Sequence, residues 1–177
     1  MVASTLAPVE NVLAAAFAAL HGRLHGGADE AALEAARLVG SPGAAAGFVD
    51  DCLEHGTKVM GMGHREYRVL DPRARYVKSF ARELAAGTDL ANTTATLEAI
   101  EARFCERMRA KGKHLHANLE FYKGIVYSAV GLPSDFFTPA FAMARVFGYL
   151  AHFMESRHDN RIMRPAARYV GVVPSPE

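Results

Sequence analysis

The sequence predicts an all-α protein, a packed array of helices, and three observations carry that prediction. Apolar residues recur at helical spacing through most of the chain, as in Leu97, Ile100, Phe104 and Met108. The runs are separated by helix stop and start signals, such as Gly40 followed by Ser41-Pro42. No stretch alternates polar and apolar residues as a half-buried strand does, and there is no internal repeat.

Taken in order, residues 7–22 (APVENVLAAAFAALHG) read as a first helix with Pro8 near its start. Apolar residues wrap most of its circumference, so it is expected to be buried on several sides. The second helix runs from Asp29 to Val39, with Leu33, Ala36 and Val39 along one side and Gly40 closing it. Ser41-Pro42 opens a third, which reaches His55 and stops at Gly56. Asp71-Pro72 opens a fourth, to Ala86, because Asp caps a helix well and Pro suits its first position. Asn92 is expected to cap a fifth helix to Ala110, where Lys111 and Lys113 suit the C-terminal dipole. Glu120 to Val130 forms a sixth, ended by Gly131 and Pro133. Thr138-Pro139 starts the seventh and most apolar, to Glu155, and the tail from Asn160 is expected to run extended.

A chain of 177 residues allows one domain, or a main domain with a small annex. Half of it is hydrophobic and 22% is charged, as in a soluble globular protein. A net charge of +1 predicts neither nucleic-acid nor membrane-surface binding. Two cysteines, Cys52 and Cys105, fit core thiols in a reducing cytoplasm better than a disulfide framework. The N-terminus has no basic signal region and no apolar run is long enough to span a bilayer, so a soluble cytoplasmic chain is expected.

The stretch of greatest chemical interest is VMGMGHREYRVLDPRARYVK, Val59 to Lys78. Gly61 and Gly63 permit unusual backbone angles and close approach of a ligand, and His64 follows at once. Arg73 lies in the first turn after Asp71-Pro72, and a helix N-terminus with an arginine makes a carboxylate or phosphate receptor. His21 and His25 lie four apart, but Gly22, Gly26 and Gly27 oppose the continuous helix that would aim both at a metal. His114-x-His116 lacks a clear third ligand, so no metal site is expected. Arg145 sits among Phe141, Ala142, Ala144, Phe147 and Gly148, where a charge reads either as a buried ion pair or as a carboxylate clamp. Glu120, beside Phe121 and Tyr122, reads either as a helix-start carboxylate placed by the dipole or as a general base of raised pKa.

Four segments together resemble the citrate synthase family: LHGGADEAALE at 24–34, VMGMGHREYRVLDPRA at 59–74, NLEFYKGIVYSAVGLPSDFFTPAFAMARVFGYLAH at 118–152 and DNRIMRPAARYVG at 159–171. The resemblance covers essentially the whole chain, in the family's order. It implies a citrate-synthase-like helical array truncated at the N-terminus: a large-domain helix and first active-site loop over 1–27, a small domain over 28–125, and C-terminal large-domain helices and tail over 126–177. The activity it implies is condensation of acetyl-CoA with oxaloacetate to citrate and CoA, with no tightly bound cofactor. By resemblance His25 donates to the thioester oxygen, Glu120 removes the methyl proton and His64 polarises the oxaloacetate carbonyl. Arg73, Arg145 and Arg164 clamp carboxylates, Arg164 from across a dimer, and Val59, Met60, Gly61, Gly63 and Arg65 cradle CoA. Two departures stand out: Glu120 occupies a place where the family has Asp, and the segment with the family's third substrate-binding His is absent. The expectation is therefore a split or incomplete enzyme working as a homodimer or with a chain supplying the missing half, weak or inactive alone. The alternatives are a non-catalytic subunit binding CoA or a dicarboxylate, or, within enzymes, a 2-methylcitrate synthase or citryl-CoA lyase.

Overall fold

Seven α-helices account for most of the described residues: α1 Val9–Leu20, α2 Ala28–Val39, α3 Ala45–Glu54, α4 Ala74–Ala85, α5 Leu90–Ala110, α6 Leu119–Ala129 and α7 Phe137–Ser156. Short 3-10 turns cover Ala3–Thr5, Pro42–Ala44 and Ser134–Phe136. These assignments come from a computed structural model, in which every residue is described except Arg23, Leu24, Arg65, Arg68 and 173–177. No strand occurs among the described residues, so the all-α reading holds, and the described tail residues from 161 to 172 hold no helix.

Most boundaries fall within two residues of those read from the sequence, the usual spread at frayed helix ends. Two expectations are corrected. Asn92 does not cap α5, which starts earlier at Leu90; its side-chain amide instead donates to the Gly40 carbonyl (2.6 Å) and ties the end of α2 to α5. Thr138-Pro139 stands at the start of α7 as expected, one residue after its first, and the Thr138 hydroxyl donates to the Gly26 carbonyl at 3.3 Å. The all-round burial expected of the first helix is not found, since Leu20 is the only buried residue of α1.

The chain divides into two compact units, one of Met1–Phe17 with Arg145–Glu177 and one of Ala18–Ala144. In the second unit α6 packs mainly on α4 and α2, while α2 and α3 pack on α5. Leu33, Val49, Leu97, Ile100, Phe121, Ile125 and Phe137 meet in its core, each 2% exposed or less. Gly124 lets α6 approach α2: a Cβ there would stand 3.1 Å from the Asp29 carbonyl oxygen and 3.1 Å from Leu33 Cβ. That approach brings the first turn of α2 beside the first turn of α6, which matters for the site.

In the first unit the chain ends are stitched together. The Arg157 guanidinium lies over the Phe153 ring and donates to the Ala7 carbonyl, and Asn160 donates to the Ser4 carbonyl at 3.1 Å. Phe147 and Met154 on α7 remain 76% and 70% exposed, an apolar surface of the kind that marks an interaction face. No helix among the described residues is long and apolar enough to cross a membrane.

Candidate active site

The site is assembled in the second unit from the Val59–His64 loop, the turn before α2 and the head of α6. Gly61 and Gly63 take left-handed backbone angles, φ +79° and +83°, which glycine adopts without strain. Gly61 lies against Phe121: a Cβ built on it would sit 2.9 Å from Phe121 Cα and 2.8 Å from Cδ2. Backbone bonds then join the loop to the segment before α6, with Gly63 N–H donating to His116 O (2.8 Å) and Asn118 N–H to Gly61 O (2.9 Å). Asn118 completes the join. Its amide donates to Gly63 O at 2.8 Å, and its carbonyl oxygen accepts from Glu120 N–H at 2.9 Å as the cap of α6. One side chain thus holds the loop that carries His64 and the helix that carries Glu120.

His64 is exposed, and its Nδ1 accepts backbone N–H groups from Glu66 and Tyr67, each at 3.0 Å. A backbone N–H can only donate, so Nδ1 carries no proton and the neutral ring presents Nε2–H as a donor. Tyr67 stacks on this ring with centroids 4.5 Å apart, and Arg73 lies 5.8 Å over the Tyr67 ring. His64, Tyr67 and Asp71 line an open depression together with His114 and His116. Among the described residues no group of three His, Cys, Asp or Glu could hold a metal ion.

Arg73 is oriented by Asp71 through a two-pronged contact, Nε to Oδ1 at 3.0 Å and Nη2 to Oδ2 at 2.9 Å. The Asp71 side chain is 1% exposed and that of Arg73 is 45% exposed, so the aspartate fixes the guanidinium from below while part of it stays open. The Arg73 hydrogen bonds hold the Asp71 carboxyl below its usual range, against the upward push of burial. A carboxyl so lowered contributes stability that is complete above its unfolded value, about pH 4, and is lost as pH falls through the folded value. Arg73→Leu should therefore cost about 1–3 kcal/mol at pH 7, where it strands a buried carboxylate. The gap to the wild type should shrink at pH 4, as urea midpoints at the two pH values would report; an equal gap at both would contradict this.

Glu120 stands in the first turn of α6 with 15% of its side chain open. Its Oε2 is buried against the Lys123 ammonium, which in turn lies 3.2 Å from Asp29 Oδ2. Burial pushes the Glu120 carboxyl above its usual range and Asp29 adds to the push, while Lys123 and His25 oppose it. His25 is exposed in the turn before α2, with its ring edge-on to Phe141 at 6.4 Å. Arg73 and Glu120 also attract one another. His25 and Arg73 thus both attract the Glu120 carboxylate, and Tyr67 contacts both the His64 ring and the Arg73 guanidinium.

The remaining expected site residues lie elsewhere or are tied up differently. Val59 is buried in the core and Met60 is half-buried, so their side chains mainly support the loop. Arg65 lies outside the described residues. Arg145 and Arg164 belong to the first unit and are both exposed. The reading of Arg145 as a buried charge is corrected: neighbouring Met143 and Phe147 are 73% and 76% exposed, so α7 offers no buried setting there. Asp29 and Lys123 are not singled out by the sequence as site residues, and Asn118 stands there only as the residue before the helix that carries Glu120. The available signal was Lys123 itself, a lysine inside the apolar run EFYKGIVY, three residues after Glu120 and on its side of a helix.

The family model for the citrate synthase C-terminal domain matches residues 1–166. The chain belongs to the citrate synthase family. It is 40% identical to a citrate synthase of Deinococcus radiodurans over 168 residues, covering 95% of this chain and 44% of that protein. It is 38% identical to a 2-methylcitrate synthase of Shewanella oneidensis, covering 97% of this chain and 44% of that one. Its fold matches the citrate synthase of Thermoplasma acidophilum, solved in ternary complex with carboxymethyl coenzyme A and oxaloacetate, at a TM-score of 0.91 and 34% identity over 99% of this chain and 47% of that one. The chain therefore spans less than half the length of these citrate synthase relatives.

Proposed function

We propose that this chain supplies the catalytic portion of a citrate-synthase-type site and condenses acetyl-CoA with oxaloacetate when the remainder of the fold, which its relatives carry, completes it. The observation that supports this reading most is the half-closed Glu120 carboxylate at the head of α6, its carboxyl raised by burial and facing His25 and Arg73. In this mechanism Glu120 takes a proton from the acetyl methyl group while His25 donates to the thioester oxygen, so that base and oxyanion stabiliser act together. His64, as an Nε2–H donor, polarises the keto carbonyl of oxaloacetate. The enol carbon forms the new C–C bond to that carbonyl carbon, the carbonyl oxygen becomes the hydroxyl, and water then cleaves the thioester to release CoA.

Arg73, Arg145 and Arg164 clamp the carboxylates of oxaloacetate, because bidentate guanidinium pairs also fix orientation. The Val59–Gly63 backbone, with Met60, Gly61 and Arg65, cradles CoA. Residues 28–125 form the small domain, between large-domain parts at 1–27 and 126–177. No resident cofactor is needed. We place the reaction in the cytoplasm, within the tricarboxylic acid cycle, and expect a homodimer or a complex with the completing chain. A 2-methylcitrate synthase differs by one methylene in the acyl group, worth about 1–3 kcal/mol in a pocket.

A second reading, a non-catalytic subunit that binds CoA or a dicarboxylate, is favoured by the ion pair that occupies Glu120 Oε2. Thiol release from acetyl-CoA and oxaloacetate separates the two. It is followed for the chain alone and for the chain produced with the part of the Deinococcus radiodurans citrate synthase that lies outside the matched 44%. Turnover in the mixture and little from the chain alone is expected. Equal turnover from the chain alone would overturn the need for a completing chain. No turnover in any mixture, with calorimetric binding of oxaloacetate or CoA, would overturn catalysis in favour of the binding subunit.

A further inference from the structure

Lys123 is a lysine almost fully out of water. Its side chain is 8% exposed, its ammonium stands 4.1 Å from the centroid of the Phe141 ring, and Tyr127 lies under it at 5.5 Å. Ammonium groups are not placed in such surroundings without partners. Lys123 has two, Glu120 one turn back on the same helix and Asp29 on α2, with the Glu120 contact the closer. None of the three facing atoms makes a hydrogen bond of regular geometry, so the pairing is one of charge against charge.

The two carboxylates are not equivalent. Asp29 is fully buried, receives the Glu30 N–H at 2.8 Å and sits in the first turn of α2, where the helix dipole favours an anion. Glu120 has its open portion outside Oε2, since that atom is buried against Lys123. We propose that Lys123 is a positioning residue for Glu120: anchored by Asp29, it binds Oε2, keeps the side chain ionised, and leaves the remaining oxygen as the proton-accepting atom. The proposal rests on the reading of Glu120 as the general base, and adds to it the residue that sets when that base is available.

The groups facing Glu120 decide the sign. Lys123 and His25 favour its anion, Asp29 and burial oppose it, Arg73 attracts it from the segment before α4, and Tyr127 and Phe141 keep water away. Replacing an ammonium in contact with a buried carboxylate by an apolar chain should move the carboxylate midpoint up by about one to three pH units. Removing the charge of Asp29 should move it down.

The test is a carbon-13 NMR titration of the full chain carrying carboxyl-labelled glutamate, with the Glu120 signal assigned by its loss in Glu120→Gln. In Lys123→Met the Glu120 midpoint is expected to rise at least tenfold in proton affinity. In Lys123→Arg it should stay near the wild type, and in Asp29→Asn it should fall. A Lys123→Met midpoint within a few tenths of the wild type would overturn the proposal. If Lys123→Met does not fold, Asp29→Asn decides, since an unchanged or raised Glu120 midpoint there overturns it equally. The titration needs no turnover, so these shifts in a chain that stays inactive in every mixture would refute the enzyme reading and leave the pairing of Lys123 with Glu120 standing.

Discussion

Gly61→Ala should destabilise the second unit by about 2–5 kcal/mol, the sum of a left-handed backbone penalty and overpacking of a filled core. The added methyl would stand 2.8–3.0 Å from Phe121 atoms, including its Cα, and backbone cannot swing aside as a flexible side chain can. Gly63→Ala is the control. Its φ of +83° is as demanding, but the nearest atom is a Leu115 methyl at 4.0 Å, so only the backbone penalty of about 1–2 kcal/mol remains. Urea unfolding followed by helical circular dichroism compares the two, and equal midpoints would show that contact with Phe121 is not what demands a glycine. Because the same loop is bonded to Asn118 and leads into His64, Gly61→Ala should also loosen the site in proportion.

Glu120→Gln should lower the condensation rate of the completed enzyme by about 10²–10⁴-fold, the usual contribution of a positioned general base. The amide keeps the shape of the side chain and removes its ability to take a proton, so oxaloacetate affinity should change little. The pH dependence follows from the same group. A base acts only once deprotonated, and burial raises the Glu120 carboxyl above its ordinary range. The rate should accordingly rise with pH through that elevated value, and the limb should vanish in Glu120→Gln. Steady-state thiol release across pH checks both outcomes; a loss below tenfold, or an unchanged acid limb, would remove Glu120 from the role of base.

Much of the molecule was legible before folding was considered. Helical spacing such as Leu97, Ile100, Phe104 and Met108 marked α5, and all four residues are buried. Asn118 before Glu120 stood at the head of a helix, where it is the cap. Asn92 was misread because a good capping residue says nothing of a carbonyl 52 positions away, and the Gly40 oxygen claims it. Arg145 read either as a buried ion pair or as a carboxylate clamp because its sequence neighbours are apolar. Burial depends on what packs over a helix, and Met143 and Phe147 are uncovered.

The candidate site divides along the same line. His25, His64, Arg73 and Glu120 each lie in a short segment whose order and spacing carry the family resemblance, and the match over residues 1–166 supports the family. The sequence by itself therefore determined the fold class, the helices and the family, because these rest on local periodicity, capping chemistry and ordered motifs. Only the tertiary structure decided that Lys123 stands between Glu120 and Asp29, that Asn118 joins the His64 loop to α6, and that His64 presents Nε2–H. The physical reason is that charge pairing, burial and tautomer depend on atoms brought together from distant parts of the chain: Asp29 and Lys123 meet because Gly124 lets α2 and α6 approach.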